Sequence, residues 1–290
     1  MVSIVQSVTS GVLLGGLYAI IAMGVTLNWG LLKVISLAHF SLVLLGAYMT
    51  YQLSFSYEID PFLTIFITAP VLFVIGTAMQ MFFDRFDITE FVSLLVTFGI
   101  FIIFQSIFHE RWTADFRSIP SETNPYRTDS LWIGDIALRV PHIIALILAI
   151  GITGVTWYLL NRTYWGKGLR AISQDRAIAQ AFGVNQHRVP ILLGGLIGVY
   201  AAIAGVFVAL IFNISPEFMT EFIGVIFAVV ILGGLGNPVG TLGAGILIGI
   251  TQNLTATVTE AGYAPLVTFS LLIVVLLFRP EGLFTRGATT

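Results

Sequence analysis

The chain has 290 residues, 57% of them hydrophobic and only 10% charged, with 13 basic residues against 15 acidic ones. A water-soluble domain carries about 25% charged residues, so the composition fits the bilayer rather than water as its solvent. Near-neutral charge argues against a nucleic-acid partner, and the lack of cysteine excludes disulfides, zinc–thiolate sites and iron–sulfur clusters.

The expected fold is all-α: a polytopic transmembrane helical bundle of eight or nine spans, some broken or re-entrant, forming one domain over 1–290. Apolar segments fall, in chain order, at about 5–27, 37–53, 61–83, 91–108, 142–160, 191–212, 222–234, 239–257 and 265–278. The first is long enough to span and has no Lys or Arg before Asn28, so it is expected to stay as a membrane helix rather than be cleaved as a leader. The polar stretch 109–141, with Pro120, Pro125 and Pro141, is expected to be an irregular external loop. The stretch 161–190 holds Arg162, Lys167, Arg170, Arg176 and Arg188 against Asp175 alone, which places it in the cytoplasm by the positive-inside rule. The tail 279–290 falls on the same side. Nine spans put the N-terminus outside and eight put it inside; the sequence leaves both open.

Three runs carry the functional signal. In the first, Asn28, Lys33, Ser36 and His39 cluster between two spans, where unpaired polar groups are costly. This reads as a bend lining a translocation route or as an ordinary turn. The second, Gly233-Gly234-Leu235-Gly236-Asn237-Pro238-Val239-Gly240, combines backbone freedom with a missing donor. It reads as a breakpoint beside the pathway or as a tight interhelical turn. The third lies in 161–190, where a helix from about Gly168 to Phe182 is expected, ended by Gly183. Its apolar Ala171, Ile172, Ile178 and Phe182 suit a groove on a partner or the membrane surface. A weak echo links 28–46 with 232–253, as in transporters built from repeats. No catalytic constellation, metal-ligand pair or phosphate-binding loop is present, so any ATP would be bound by another chain.

Together these runs resemble the permease subunits of branched-chain amino-acid type ABC importers. Asn28, Gly30 and Ser36-Leu37-Ala38-His39 are similar to the family's first motif, with Ser36 where many members have Asn. Gly166, Arg170-Ala171, Gln174-Asp175, Ala177 and Gly183-Val184-Asn185 resemble its cytoplasmic signature. The run 233–240, Arg279-Pro280-Glu281-Gly282-Leu283-Phe284 and external 114–120 complete an ordered match along the chain. The resemblance implies a multi-pass protein of a bacterial or archaeal inner membrane, acting in a heteromeric complex. Its partners would be a second homologous permease, two cytoplasmic ATPases carrying ATP and magnesium, and an external substrate-binding protein, with lipid around them. It implies a coupling helix that meets an ATPase through Arg170, Ala171, Gln174, Asp175 and Ile178. Candidate pathway residues are Asn28, Ser36, His39, Gly233, Gly234, Gly236, Asn237 and Pro238. The cargo stays open among aliphatic amino acids, urea or amides, and organic acids; Ser36 and the polar segment Glu122–Asp129 could bear on that choice. The rival expectation is an ion-coupled secondary transporter, which calls for carboxylates within spans. A passive channel is a third, without a ring of charge to support it.

Overall fold

A computed structural model describes residues 2–86, 88–120, 124, 126, 130–133, 136–280 and 282–284. Its helices are α1 (Val2–Leu32), α2 (Ala38–Tyr57), α3 (Ile65–Arg85), α4 (Glu90–Trp112), α5 (Val140–Arg162), α6 (Tyr164–Gln174), α7 (Arg176–Ala181), α8 (Arg188–Ile211), α9 (Phe218–Gly233), α10 (Pro238–Val258) and α11 (Ala264–Phe278). Among the described residues, seven stretches are long and apolar enough to cross a bilayer. Helix α2 is more polar, yet most of its residues are buried within the bundle, where its hydroxyls need not meet lipid. Helix α9 is short, 16 residues, but its Phe222 meets Tyr18 and its Phe227 meets Trp29, so it follows α1 along the bundle.

Small residues decide which helices touch. On α1, Gly11 and Gly15 lie against Ile250 and Ile246 of α10; a Cβ at either glycine would come within 2.5 Å of the facing Cα. Without a hydrophobic drive between helices in lipid, such close approach supplies the packing contacts. Likewise Gly194 of α8 faces Gln80 of α3, and Gly205 faces the α2 backbone at Val43 and Ala47. Helices α1 and α8 therefore form the centre, with 67% and 72% of their spans buried, whereas α11 has 6% buried and turns Ile273, Leu277 and Phe278 outward.

The contacts at helix ends settle the direction of each crossing. Ser7 pairs with Thr257 at 2.6 Å and Thr26 with Thr241 at 2.9 Å, so α1 and α10 are antiparallel. Gln6 exchanges two 2.9 Å hydrogen bonds with the backbone of Ala137. Asp84, at the far end of α3, meets Arg176. The N-terminus of α1 thus lies at the end opposite the basic 161–190 segment, and nine helices run between the ends among the described residues. Nine such helices agree with the nine-segment reading, in which the N-terminus and the basic loop face opposite sides.

The 109–141 segment is more regular than its prolines suggest. Helix α4 continues to Trp112, and Ser130–Ile133 (β1) pairs antiparallel with Ile136–Arg139 (β2), Ser130 opposite Arg139. The aromatic Trp132 and β-branched Ile133 favour the strand and are a signal the proline count obscured. Between them, Arg117 and Ile214 exchange 2.8 Å backbone bonds. Of Glu122–Asp129, only Asn124 and Tyr126 are among the described residues.

Candidate functional site

Asn28 is not between spans: α1 stays helical to Leu32, and the interruption is confined to 33–37. Lys33 adopts a left-handed φ of 56°, a conformation unfavourable for a side-chain-bearing residue, and turns the chain back toward the bundle. The unwound backbone needs partners at membrane depth. Helix α4 provides them one turn apart. Ser93 Oγ accepts the Ile35 amide at 3.0 Å, and Thr97 Oγ1 accepts the Leu37 amide at 3.1 Å and donates to the Ile35 carbonyl at 3.0 Å. Both hydroxyl residues are fully buried. Sequence reasoning missed them, although their i, i+4 spacing on an apolar helix was a visible signal.

This break brings Asn28, Ser36 and His39 together. They line an interior pocket of about 20 Å³, roughly one water in size, with Leu42 of α2, Gly76, Met79, Gln80 and Phe83 of α3, and Gly194 and Ile197 of α8. His39 Nε2 lies 3.0 Å from the Ile21 carbonyl. A carbonyl only accepts, so the proton is assigned to Nε2, and in a neutral ring Nδ1 offers a lone pair. Nδ1 of His39 and Oδ1 of Asn28 are both buried without a protein partner. Gly24 leaves the space the imidazole occupies: a side chain there would collide with its Nδ1 and Nε2. Gln80, 4% exposed, is a further pocket residue the sequence reading passed over; an amide inside an apolar span is the signal that marks it.

The second run does not join the pocket. It is the turn of a helical hairpin, α9 to α10, with Gly234 and Gly236 at φ 85° and 74°. Gly236 donates its amide to the Thr26 carbonyl at 3.2 Å and sits on Gly30, where no side chain would fit. Asn237 Oδ1 caps α10 by accepting from Gly240 N at 3.1 Å, while its amide donates to the Phe284 carbonyl at 3.0 Å. Gly233 is pressed against Gly240 and Thr241. Gly236, Asn237 and Pro238 line a separate groove of about 500 Å³ that also holds Trp157, Asn161 and Arg170. The structure thus groups these three with the basic loop rather than with His39. The interruptions at 33–37 and 234–237 lie at the same end of the bundle, with Gly236 against Gly30.

The expected single helix over Gly168–Phe182 is two, α6 and α7, broken at Asp175. Asp175 Oδ1 accepts the Ile178 amide at 2.9 Å and caps α7, while its own backbone closes α6. The predicted stop at Gly183 holds: at φ 83° it donates to Gln180, and Val184 donates to Ala179, the paired bonds of a Schellman turn. Leu169 and Ile172 point into the chain's own core, so Ile172 is not free for a partner. Ile178 and Phe182 are 58% and 84% exposed. Ala171 is half-buried and Gln174 exposed, and Arg170 Nη1 donates to Asn161 Oδ1 at 3.0 Å.

Long apolar helices packed into one bundle, with Asn28, Ser36, His39 and Gln80 brought to one buried pocket beside an unwound junction, make this a multi-pass membrane protein. Residues 7–278 match the family model described as "Branched-chain amino acid transport system / permease component". The chain belongs to that family, and is a transport subunit rather than an enzyme. It is 24% identical to the high-affinity branched-chain amino acid transport system permease protein LivH of Escherichia coli K12, over 97% of this chain and 95% of LivH. It is equally similar, 24% with the same coverage, to the corresponding BraD of Pseudomonas aeruginosa PAO1. A partial match, 25% over 49% of this chain and 33% of the relative, reaches the permease protein LivM of Escherichia coli K12. No solved structure gives a significant match.

Proposed function

We propose that this chain is the membrane-spanning half of an ATP-driven importer, carrying a small amino acid, urea or an amide delivered by an external binding protein. A second, related permease would pair with it, and two cytoplasmic ATPases would bind ATP with magnesium and power the cycle by hydrolysing it. The match to both LivH and LivM supports a paired arrangement, since each is named a permease protein of a high-affinity branched-chain amino acid transport system in the same organism.

The observation that carries the reading is the pairing of a buried polar pocket with a short, capped helix at the basic end of the bundle that exposes Ile178 and Phe182. The pocket would be part of the passage, and α7 the knob seated in an ATPase groove. The pocket's lining offers acceptors at Asn28 and His39 and holds no Lys or Arg. That favours solutes with N–H donors over organic anions. Among the described residues no carboxylate is buried at mid-span, which weighs against ion coupling. Purification of the tagged chain from membranes co-expressing its partners tests the assembly. An ATPase and a second permease are expected to accompany it; recovery of the chain alone, active without an ATPase, would refute the reading.

A further inference from the structure

Asp84 closes the last turn of α3, and its side chain is only 9% exposed although it lies at a helix end. Its two oxygens face different partners. Oδ1 lies 3.8 Å from Nη1 of Arg176, the first residue of α7. Oδ2 contacts Nδ1 of His187, which occupies the N-cap position of α8. One carboxylate therefore grips both ends of the 176–187 segment. Between those ends the segment is internally braced by the Asp175 cap, the Schellman turn at Gly183, and Asn185 Oδ1, which accepts the amides of His187 and Arg188 at 3.1 and 2.9 Å. It is built as a rigid piece attached at its base.

The base is the part of the molecule that forms the pocket. Gly76, Met79, Gln80 and Phe83 of α3 line the pocket within two turns of Asp84, and Gln80 precedes Asp84 by one turn on the same face. Gly76 and Gly194 hold α3 against α8 with no space for a side chain, so the two helices shift together. We infer that Asp84 is the positioning residue that passes displacement of the exposed α7 surface to the α3–α8 pair and so to the pocket. The His187 contact fixes a direction where apolar contact alone would slide, and the Arg176 ion pair at 3.8 Å adds attraction between the charges. This inference rests on the importer reading above.

The test uses the whole complex, reconstituted with its ATPases and binding protein, carrying Asp84→Asn or Asp84→Glu. Asp84→Asn is expected to assemble and hydrolyse ATP at a rate near the parent's while solute uptake falls about tenfold or more, so that solute moved per ATP collapses. Asp84→Glu, which keeps the charge, restores most of that ratio. Equal losses of hydrolysis and uptake, or no loss of either, would overturn the inference. Should Asp84→Asn fail to assemble, Arg176→Gln breaks the grip from its exposed side and carries the same expectation. Hydrogen–deuterium exchange on the purified chain without partners separates the two readings. Faster exchange confined to 176–187 in Asp84→Asn supports the grip even if the parent complex shows no ATP-driven uptake, and unchanged exchange there overturns it.

Discussion

The amide of Leu37 donates to Thr97 Oγ1 across 3.1 Å, joining the unwound backbone after α1 to the N-terminal third of α4. The pocket exists because of this bond and its neighbour at Ser93. They allow the chain to leave helical geometry at 33–37 without orphaned amides, and that departure carries Ser36 and His39 to Asn28. Thr97→Val keeps the shape and removes the hydroxyl, leaving the Leu37 amide unpaired. A loss of about 1–3 kcal/mol is expected, read as a lower melting temperature of the purified chain in detergent, with reduced uptake. An unchanged melting temperature would show that the break is held by something else.

The glycine contacts predict a contrast between two kinds of site. Gly15→Ala forces a methyl against the Ile246 backbone and is expected to cost about 1–3 kcal/mol through overpacking. Gly151→Ala and Gly99→Ala meet open space on outward faces, and are expected to be neutral or slightly stabilising by helix propensity. Comparing melting temperatures of the three variants checks it; equal effects would contradict the packing account.

Pocket polarity should matter for passage more than for folding. Gln80→Met conserves volume and removes an amide from the lining. Uptake is expected to fall severalfold, while melting temperature and ATP hydrolysis by the assembled complex stay close to the parent's. Uptake at the parent's level would remove Gln80 from the passage.

The exposed knob gives a sharper test of partner contact than its charged neighbours do. Ile178→Ser with Phe182→Ser leaves the caps of α7 intact, and is expected to abolish co-purification of the ATPase while the chain still inserts. Asp175→Ala also removes a helix cap, at about 0.5–2 kcal/mol, so weaker ATPase binding there would mix contact with folding. Retention of the ATPase by the double serine variant would show that the knob is not its seat.

Much of the architecture was legible because apolar length and basic-loop asymmetry are composition signals that survive without a partner chain. The Gly183 stop was legible for a similar reason: a left-handed cap demands a particular residue. What stayed hidden depends on neighbours distant in sequence. Asn28, Ser36 and His39 could be read as a cluster, but not the α3 and α4 residues that complete it, Gln80, Ser93 and Thr97. The glycines of 233–240 were legible as a break, whereas their placement beside Arg170 rather than His39 follows from the Gly30–Gly236 contact. Ile172 looked like part of a partner surface because a short amphipathic helix does not reveal which face its own chain covers.

The most direct test of the account is uptake by proteoliposomes holding this chain, its second permease and its ATPases, with the binding protein outside. Radiolabelled leucine, isoleucine, valine, urea and a short amide are the probes, assayed with ATP inside the vesicles. Accumulation of at least one is predicted, abolished by a non-hydrolysable ATP analogue and indifferent to collapse of proton and sodium gradients. Accumulation that follows an ion gradient and proceeds without the ATPases would contradict it.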